Sequence, residues 1–448
     1  MTVVAGPFPR VRPARPRTAR QSLVGRLGFG AAVFMLLIYS QAWQLPLTGG
    51  VDESAESGLI RAIYLPAYAA GVWLLALTPW NTVKGLVRQP FLIALFAIAA
   101  ASLFWSVSPD QTQRRIFALT FTTLGGVTLA ARYSWAKLAE AIAATFAILA
   151  TLSLLAAVFV PSVGRMTDLF PGAWRGLWIE KNAFGGNMAI SAAICAAAAL
   201  LNPRRARLWW GFAGLSLLLV LMSTSKTSLL SAMLGIGAIL LVALVRRGPV
   251  GGVVATWVGV VALGLVAALV FFASDALFGL LGKDATLTGR TKIWSAIMIQ
   301  IQQRPWQGFG YGAIWDETDK WGPLAWITKD AGFVAHHAHN SWLEQWLSLG
   351  VVGLCAWIGF YVQTLAANIW GLYRQKGAYL ALPFFVVYSL MTLTESIAVT
   401  YNDMRWVMFV AFAVKLALPD EDAARQQTHK TRSWPGVSRG HPSTHPQP

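Results

Sequence analysis

Charge is what this chain has least of. Only 12% of its 448 residues are Asp, Glu, Lys or Arg, where a soluble domain carries about a quarter. With a mean hydropathy of +0.54, it lacks the polar surface a soluble fold needs. Acid is scarcer still: 19 Asp and Glu face 36 Lys and Arg, for a net charge of +17. Cysteine is nearly absent. Cys195 and Cys355 lie far apart in apolar runs, which excludes a disulfide framework and a cysteine metal site and makes both core or lipid-facing residues.

What is present is apolar sequence, 56% of the chain. In lipid such runs satisfy their backbone as helices, so the expected fold class is an all-α polytopic membrane protein. About twelve runs have the length a bilayer requires. They lie near 27–45, 59–78, 91–106, 116–131, 138–160, 183–201, 208–223, 228–245, 251–273, 345–371, 378–394 and 404–418, and the 116–131 run is the weakest.

The positive charge is distributed as in a membrane protein and argues against a nucleic-acid partner. Arg10, Arg12, Arg15, Arg17, Arg20 and Arg26 fill a Pro/Arg-rich arm over 1–26, read as a disordered cytoplasmic flank. No small-residue cleavage site follows it, so the first run reads as a retained signal-anchor. With the N-terminus inside, the inner connections hold Lys84 and Arg88, Arg132 and Lys137, Arg204, Arg205 and Arg207, Arg246 and Arg247, and Arg374 and Lys376. The tail 419–448 also falls inside, and most loop acids fall outside. The expectation is a bacterial inner-membrane protein with both termini cytoplasmic and a transmembrane domain over 27–418.

One connection stands apart. The outer segment 274–342, between the ninth and tenth spans, carries Trp294, Trp306, Trp315, Trp321 and Trp326, too many large aromatics for a disordered loop. A small folded cap of short helices is expected there. Ionisable residues are nearly missing from the span middles; Arg61, Glu140, Glu344 and Glu395 all fall near span ends. Coupled transporters normally place carboxylates within the membrane, which weakens a solute or glycolipid transporter reading.

Basic residues on the outer side are the exception to the charge rule: Arg114, Arg115, Arg165, Arg175, Lys181, Lys226, Arg290, Lys292 and Arg405. Several stand beside small or hydroxyl residues, in EKNAFGGN (180–187), STSKTSLL (223–230) and TGRTKIW (288–294). Singly, each suits an anionic lipid or a helix cap. As a set around several span mouths they suit a phosphate-bearing lipid headgroup, Arg as a planar fork and Lys as a point charge.

The stretch AHHAHNSWLE (335–344) holds three of the chain's six histidines. SWLE reads as a capping box with Ser341 at the N-cap and Glu344 three residues on, leaving His339 and Asn340 just outside a helix N-terminus. That position favours a neutral imidazole able to accept a proton from a hydroxyl. The rival readings are a structural loop and a metal site. The metal is disfavoured because adjacent positions rarely converge on one ion and the H-E-x-x-H spacing is absent. His339 is the first candidate for chemistry and His337 the second. GFGYGAIW (308–315) lacks the Lys-Ser/Thr of a phosphate loop and reads as tight turns.

In order, WSVSPDQTQRR, EKNAFGGNMA, STSKTSLL, GRTKIW, RPWQGFGYGAIW, HAHNSWLEQWLSLGVVGL and LTES (393–396) resemble the O-antigen ligase/polymerase superfamily of bacterial envelope glycosyltransferases. The likeness runs over roughly residues 90–410, and the KNAFGGN block is closer to exopolysaccharide polymerases. The resemblance implies a metal-independent, GT-C-like glycosyltransferase, without cofactor, acting at the periplasmic face on a glycan carried by undecaprenyl diphosphate. Carried over, His339 is the base, and Arg290 and Lys226 are diphosphate ligands. Lys181 and Arg175 join them as candidate diphosphate ligands, and Asn340, Glu344 and Glu395 as supports. Lys226 stands where the family commonly has arginine, and a lysine there is a point charge without the bidentate fork. The implied partners are the lipid-linked glycan, membrane lipids, a flippase and a chain-length regulator. Polymerase and ligase remain alternatives that differ only in acceptor.

Overall fold

The structure, a computed structural model, describes residues 19–48, 58–167, 170–272, 290–316 and 319–418. Most of the basic arm, the whole tail and residues 273–289 of the long connection lie outside the described residues. Among those described, the chain is helical, with one isolated bridge between Arg165 and Trp174.

The first half contains α1 (Ala19–Tyr39), α2 (Gln44–Thr48), α3 (Gly58–Leu77), α4 (Pro79–Val87), α5 (Pro90–Ala101), α6 (Pro109–Arg132), α7 (Trp135–Phe159) and α8 (Pro161–Gly164). The second contains α9 (Lys181–Leu201), α10 (Ala206–Met222), α11 (Lys226–Val245), α12 (Pro249–Phe272), α13 (Arg290–Gln303), α14 (Pro323–Ala331), α15 (Ser341–Arg374), α16 (Ala378–Thr394) and α17 (Met404–Ala417). Each expected run coincides with a helix. Among the described residues, six helices are long and apolar enough to cross a membrane, or seven if α4 and the segment Pro90–Phe104, bent by 88°, form one span. The chain is an integral membrane protein by these helices; the full count of twelve is an expectation from sequence. The first helix starts at Ala19, earlier than the run at 27, because the apolar stripe extends back through Leu23.

α9 is the most enclosed of the six. Its sequence, with Gly185, Gly186 and a run of alanines, removes the side-chain bulk that would hold neighbours away. α6 contains the weak 116–131 run, and three of its threonines turn inward while Thr120 stays exposed. Thr122, Thr123 and Thr128 are buried, Thr122 and Thr128 returning a bond to their own helix. Thr123 accepts from Trp406 Nε1 at 2.8 Å. Around Trp406 the core is aromatic: Trp357, Phe360 and Phe409 pack against it at ring separations of 5.9–6.1 Å.

α15 is broken at Gly350, whose φ of 67° and ψ of −171° leave the helical region. A Cβ there would lie 2.1 Å from the Trp306 carbonyl oxygen. Through this break the 305–310 segment reaches the helix backbone: Phe309 N donates to Leu347 O, Gly310 N to Ser348 O, and Val351 N to Pro305 O. The glycines of GFGYG are thus tight turns, as their sequence implied. α13 and α14 sit beside this docking point and share a second core with Ile293, Ile297, Ile301, Ile314, Ile327 and Leu347. Two of the five cap tryptophans are rivets: Trp294 donates to Ala338 O, and Trp315 to Glu344.

Candidate active site

One end of the bundle gathers the N-termini of α6, α9, α11, α13, α15 and α17 with the C-termini of α1 and α16. Contacts tie many of these ends together: Gln41 bonds Asn402, Thr112 bonds the Tyr311 carbonyl while the Tyr311 hydroxyl bonds Val399, Ser341 and Arg290 bond Glu395, and Ser225 bonds Asn182. Helix N-termini present unsatisfied N–H groups and positive dipole ends, which favour an anion. The convergence follows from chain direction, since alternating helices place their starts at one end.

The residue that caps α15 is Asn340, not Ser341. Its Oδ1 accepts from Trp342 N at 2.9 Å and Leu343 N at 3.2 Å. The expected capping box fails because both of its side chains have longer-range partners. Ser341, fully buried, donates to Glu395 O at 2.7 Å and accepts from Ile397 N and Ala398 N at 2.9 and 3.1 Å. Glu344 accepts from Trp315 Nε1, from Ala338 N at 3.0 Å and from Ser396 Oγ at 3.0 Å. The first turn of α15 therefore clamps the histidine loop to the 395–398 turn. One Glu344 oxygen holds the neighbour of His339 and the neighbour of Glu395.

Between those neighbours lies the cluster. Glu395 Oε2 is 3.4 Å from His339 Nδ1, and its Oε1 is 3.3 Å from Arg290 Nη2, at the first residue of α13. The His337 ring centroid lies 3.9 Å from that of His339. His339 holds φ at 50°, and Val399 and Asn402 in the facing turn are also left-handed, at 54° and 56°. Backbone in this region costs a non-glycine residue about 1–3 kcal/mol and tends to collect at functional sites.

Electrostatics within the cluster follow from burial and pairing. Burial, then the adjacent His339, pushes the His337 imidazole down to about 3, so it is neutral at physiological pH. Burial alone would raise the Glu395 carboxyl. The hydrogen bond with His339 and the Arg290 charge outweigh it and hold the group below its usual value, as a carboxylate. His339 and Glu395 keep 28% and 25% side-chain exposure, so the pair is open to an incoming molecule.

The remaining candidates form a second group at the same end. Lys181 Nζ, at the start of α9, lies 3.4 Å from Thr224 Oγ1 and 3.6 Å from the Phe170 ring centroid. Ser225 caps α11 beside Lys226 and donates to Asn182 at 2.9 Å. This packing uses the glycines of KNAFGGN: a Cβ on Gly185 would lie 2.5 Å from Ser228 Oγ, and one on Gly186 2.7 Å from Met391 Cε. Met391 is one turn before Glu395, so the two groups flank the end of α16. Arg175, the remaining candidate, bonds backbone carbonyls. Its Nε donates to Val163 O at 2.9 Å and its Nη2 to Ser162 O at 3.0 Å, fastening the loop after α7.

Sequence reasoning missed the bridging hydroxyl of Ser341 and the Asp403–Arg405 pair. Arg405 bonds the carboxylate of Asp403, which also caps α17, so that cation is held by its own acid. The D-x-R spacing before an apolar helix is the one signal that pointed to it.

An O-antigen ligase family model matches residues 211–358, which include Lys226, Arg290, His337 and His339. The chain is also 28% identical over 297 residues to the exopolysaccharide production protein ExoQ of Rhizobium meliloti. That match covers 63% of this chain and 66% of the relative, just under two thirds of its length. The motif order, the helical fold and these two likenesses together make the chain similar to the O-antigen ligase/polymerase superfamily, close in motif to its exopolysaccharide branch.

Proposed function

We propose that this protein is a polysaccharide polymerase that joins repeat units carried on undecaprenyl diphosphate. The observation that carries this reading is the His339–Glu395–Arg290 cluster at an end where several helix N-termini converge. In the reaction an acceptor hydroxyl attacks the anomeric carbon of the donor while the bond from that carbon to the phosphate oxygen breaks. His339 takes the hydroxyl proton on Nε2, and Glu395 holds the Nδ1–H and balances the imidazolium that forms. The electron pair leaves with the diphosphate, whose growing charge falls to Arg290, Lys226, Lys181 and the helix dipoles. The His339–Glu395 pair beside the acceptor is thus a base with its orienter, and the cations serve the leaving group. His337, neutral and against the His339 ring, shapes the pocket.

The basic residues at the far end of the bundle, among them Arg88, Arg205 and Arg246, support a cytoplasmic far end and a periplasmic site. On that reading the protein lies in the bacterial inner membrane with both termini cytoplasmic, and a flippase and a chain-length regulator are its natural partners. The relative's name supports an exopolysaccharide product. The family model's description supports a second reading, a ligase that moves a finished glycan to lipid A-core or protein.

Purified protein incubated with a lipid-linked oligosaccharide separates these. A polymerase yields a ladder from the donor alone; a ligase yields product only with an added acceptor. Donor that crosses a proteoliposome membrane without forming a glycosidic bond would instead indicate a transporter.

A further inference from the structure

His337, His339 and Glu395 do something the loop sequence by itself argued against. The two histidines are joined by a carboxylate from 56 residues further on, and one ligand-capable atom from each of the three lies within 4.8 Å of the others. A tetrahedral zinc ion, with bonds of about 2.0–2.1 Å, sets its ligand atoms roughly 3.3 Å apart. His339 Nδ1 and Glu395 Oε2 are already at 3.4 Å. A separate observation points the same way: His337 Nδ1 is buried with no hydrogen-bond partner, an uncommon state for an imidazole nitrogen. Arg290, bonded to the other oxygen of Glu395, is placed as an outer partner of a ligating carboxylate. All three side chains are half-buried, so an ion can reach them.

We infer that His337, His339 and Glu395 bind a divalent transition-metal ion of the zinc class, and that the ion silences the site. The second part rests on the reading of His339 as the base. A neutral imidazole carries one N–H. With Nδ1–H donated to Glu395, Nε2 holds the lone pair that accepts the acceptor's proton. A metal on Nδ1 displaces that proton to water, and the neutral ring then carries its N–H on Nε2, taken from water. No net charge changes on the ring, but the lone pair a base needs is now bound to metal. The metal is therefore an inhibitor, compatible with a reaction that uses none.

The test uses the full chain in detergent, stripped with a chelator and titrated with cobalt(II) at neutral pH, reading visible d–d absorption without substrate. We expect saturation at one equivalent, displacement by zinc, and affinity weakened at least about tenfold in both His337→Ala and His337→Asn. His336→Ala, one residue outside the cluster, keeps wild-type affinity. In the elongation assay, saturating zinc lowers the rate more than tenfold and chelator restores it. Absence of saturable absorption, or equal affinity in the His337 variants, overturns the site. Saturation with undiminished elongation overturns the tautomer argument. The titration contains no donor, so its outcome is separate from that of the polymerase assay, whose own failure is an absence of elongation in metal-free protein.

Discussion

Replacing Glu395 with Gln removes the charge that His339 is held against. At 3.4 Å and an effective dielectric of about 20, a full carboxylate–imidazolium attraction is about 5 kcal/mol. Both side chains are about a quarter exposed, so solvent screening removes roughly half, leaving about 2.5 kcal/mol. This energy appears only as the proton arrives on His339, so it belongs to the transition state and not to substrate binding. The expected loss is roughly 10²-fold in single-turnover elongation rate, with the donor half-saturation concentration nearly unchanged. Glu395→Asp, which keeps the charge but shortens the reach, should recover part of the rate. A Glu395→Gln enzyme with a single-turnover rate within threefold of wild type would refute the dyad.

Four further outcomes follow from the same geometry. Arg290→Ala should cost roughly 10²–10³ in rate, and Arg290→Lys should recover only part of it because the planar fork is lost; equal rates for Lys and Arg would contradict a bidentate role. Arg175→Ala should lower the detergent melting temperature while leaving the donor half-saturation concentration unchanged, since its guanidinium bonds only loop carbonyls among the described contacts. Gly350→Ala must place a Cβ 2.1 Å from a backbone oxygen at φ 67°, so it should yield an unstable protein or none by size-exclusion chromatography; a well-folded variant would show that the break in α15 is dispensable. His337 makes stability pH-dependent. Its folded pKa is depressed to about 3, so below its ordinary value of 6.5 the unfolded chain takes up a proton that the folded one refuses. Stability should therefore fall as pH drops from about 6.5 towards 3, and the slope should flatten in His337→Asn.

The helices were legible because membrane insertion is written one residue at a time. Apolar runs and the skew of basic residues need no partner to be read, and each run from 27–45 to 404–418 meets a helix. The candidate site was legible in part. His339, Arg290 and Glu395 were named from local pattern and are brought together; Lys181 and Lys226 share a neighbouring group; Arg175 bonds backbone carbonyls. Ser341 and Glu344 were read as a local cap because i to i+3 spacing is the only geometry a sequence displays. Their true partners lie about fifty residues away.

Composition and periodicity by themselves determined that this chain enters a membrane as helices, and they singled out the histidine loop as the place to look for chemistry. Those properties depend on short-range free energies of transfer and hydrogen bonding, which each segment settles alone. Only the tertiary structure decided that a glutamate at the end of α16 faces a histidine before α15 and an arginine opening α13. That meeting requires α15 to break at Gly350 and the first turn of α15 to hold two loops at once, and both are packing decisions made by residues remote in the chain.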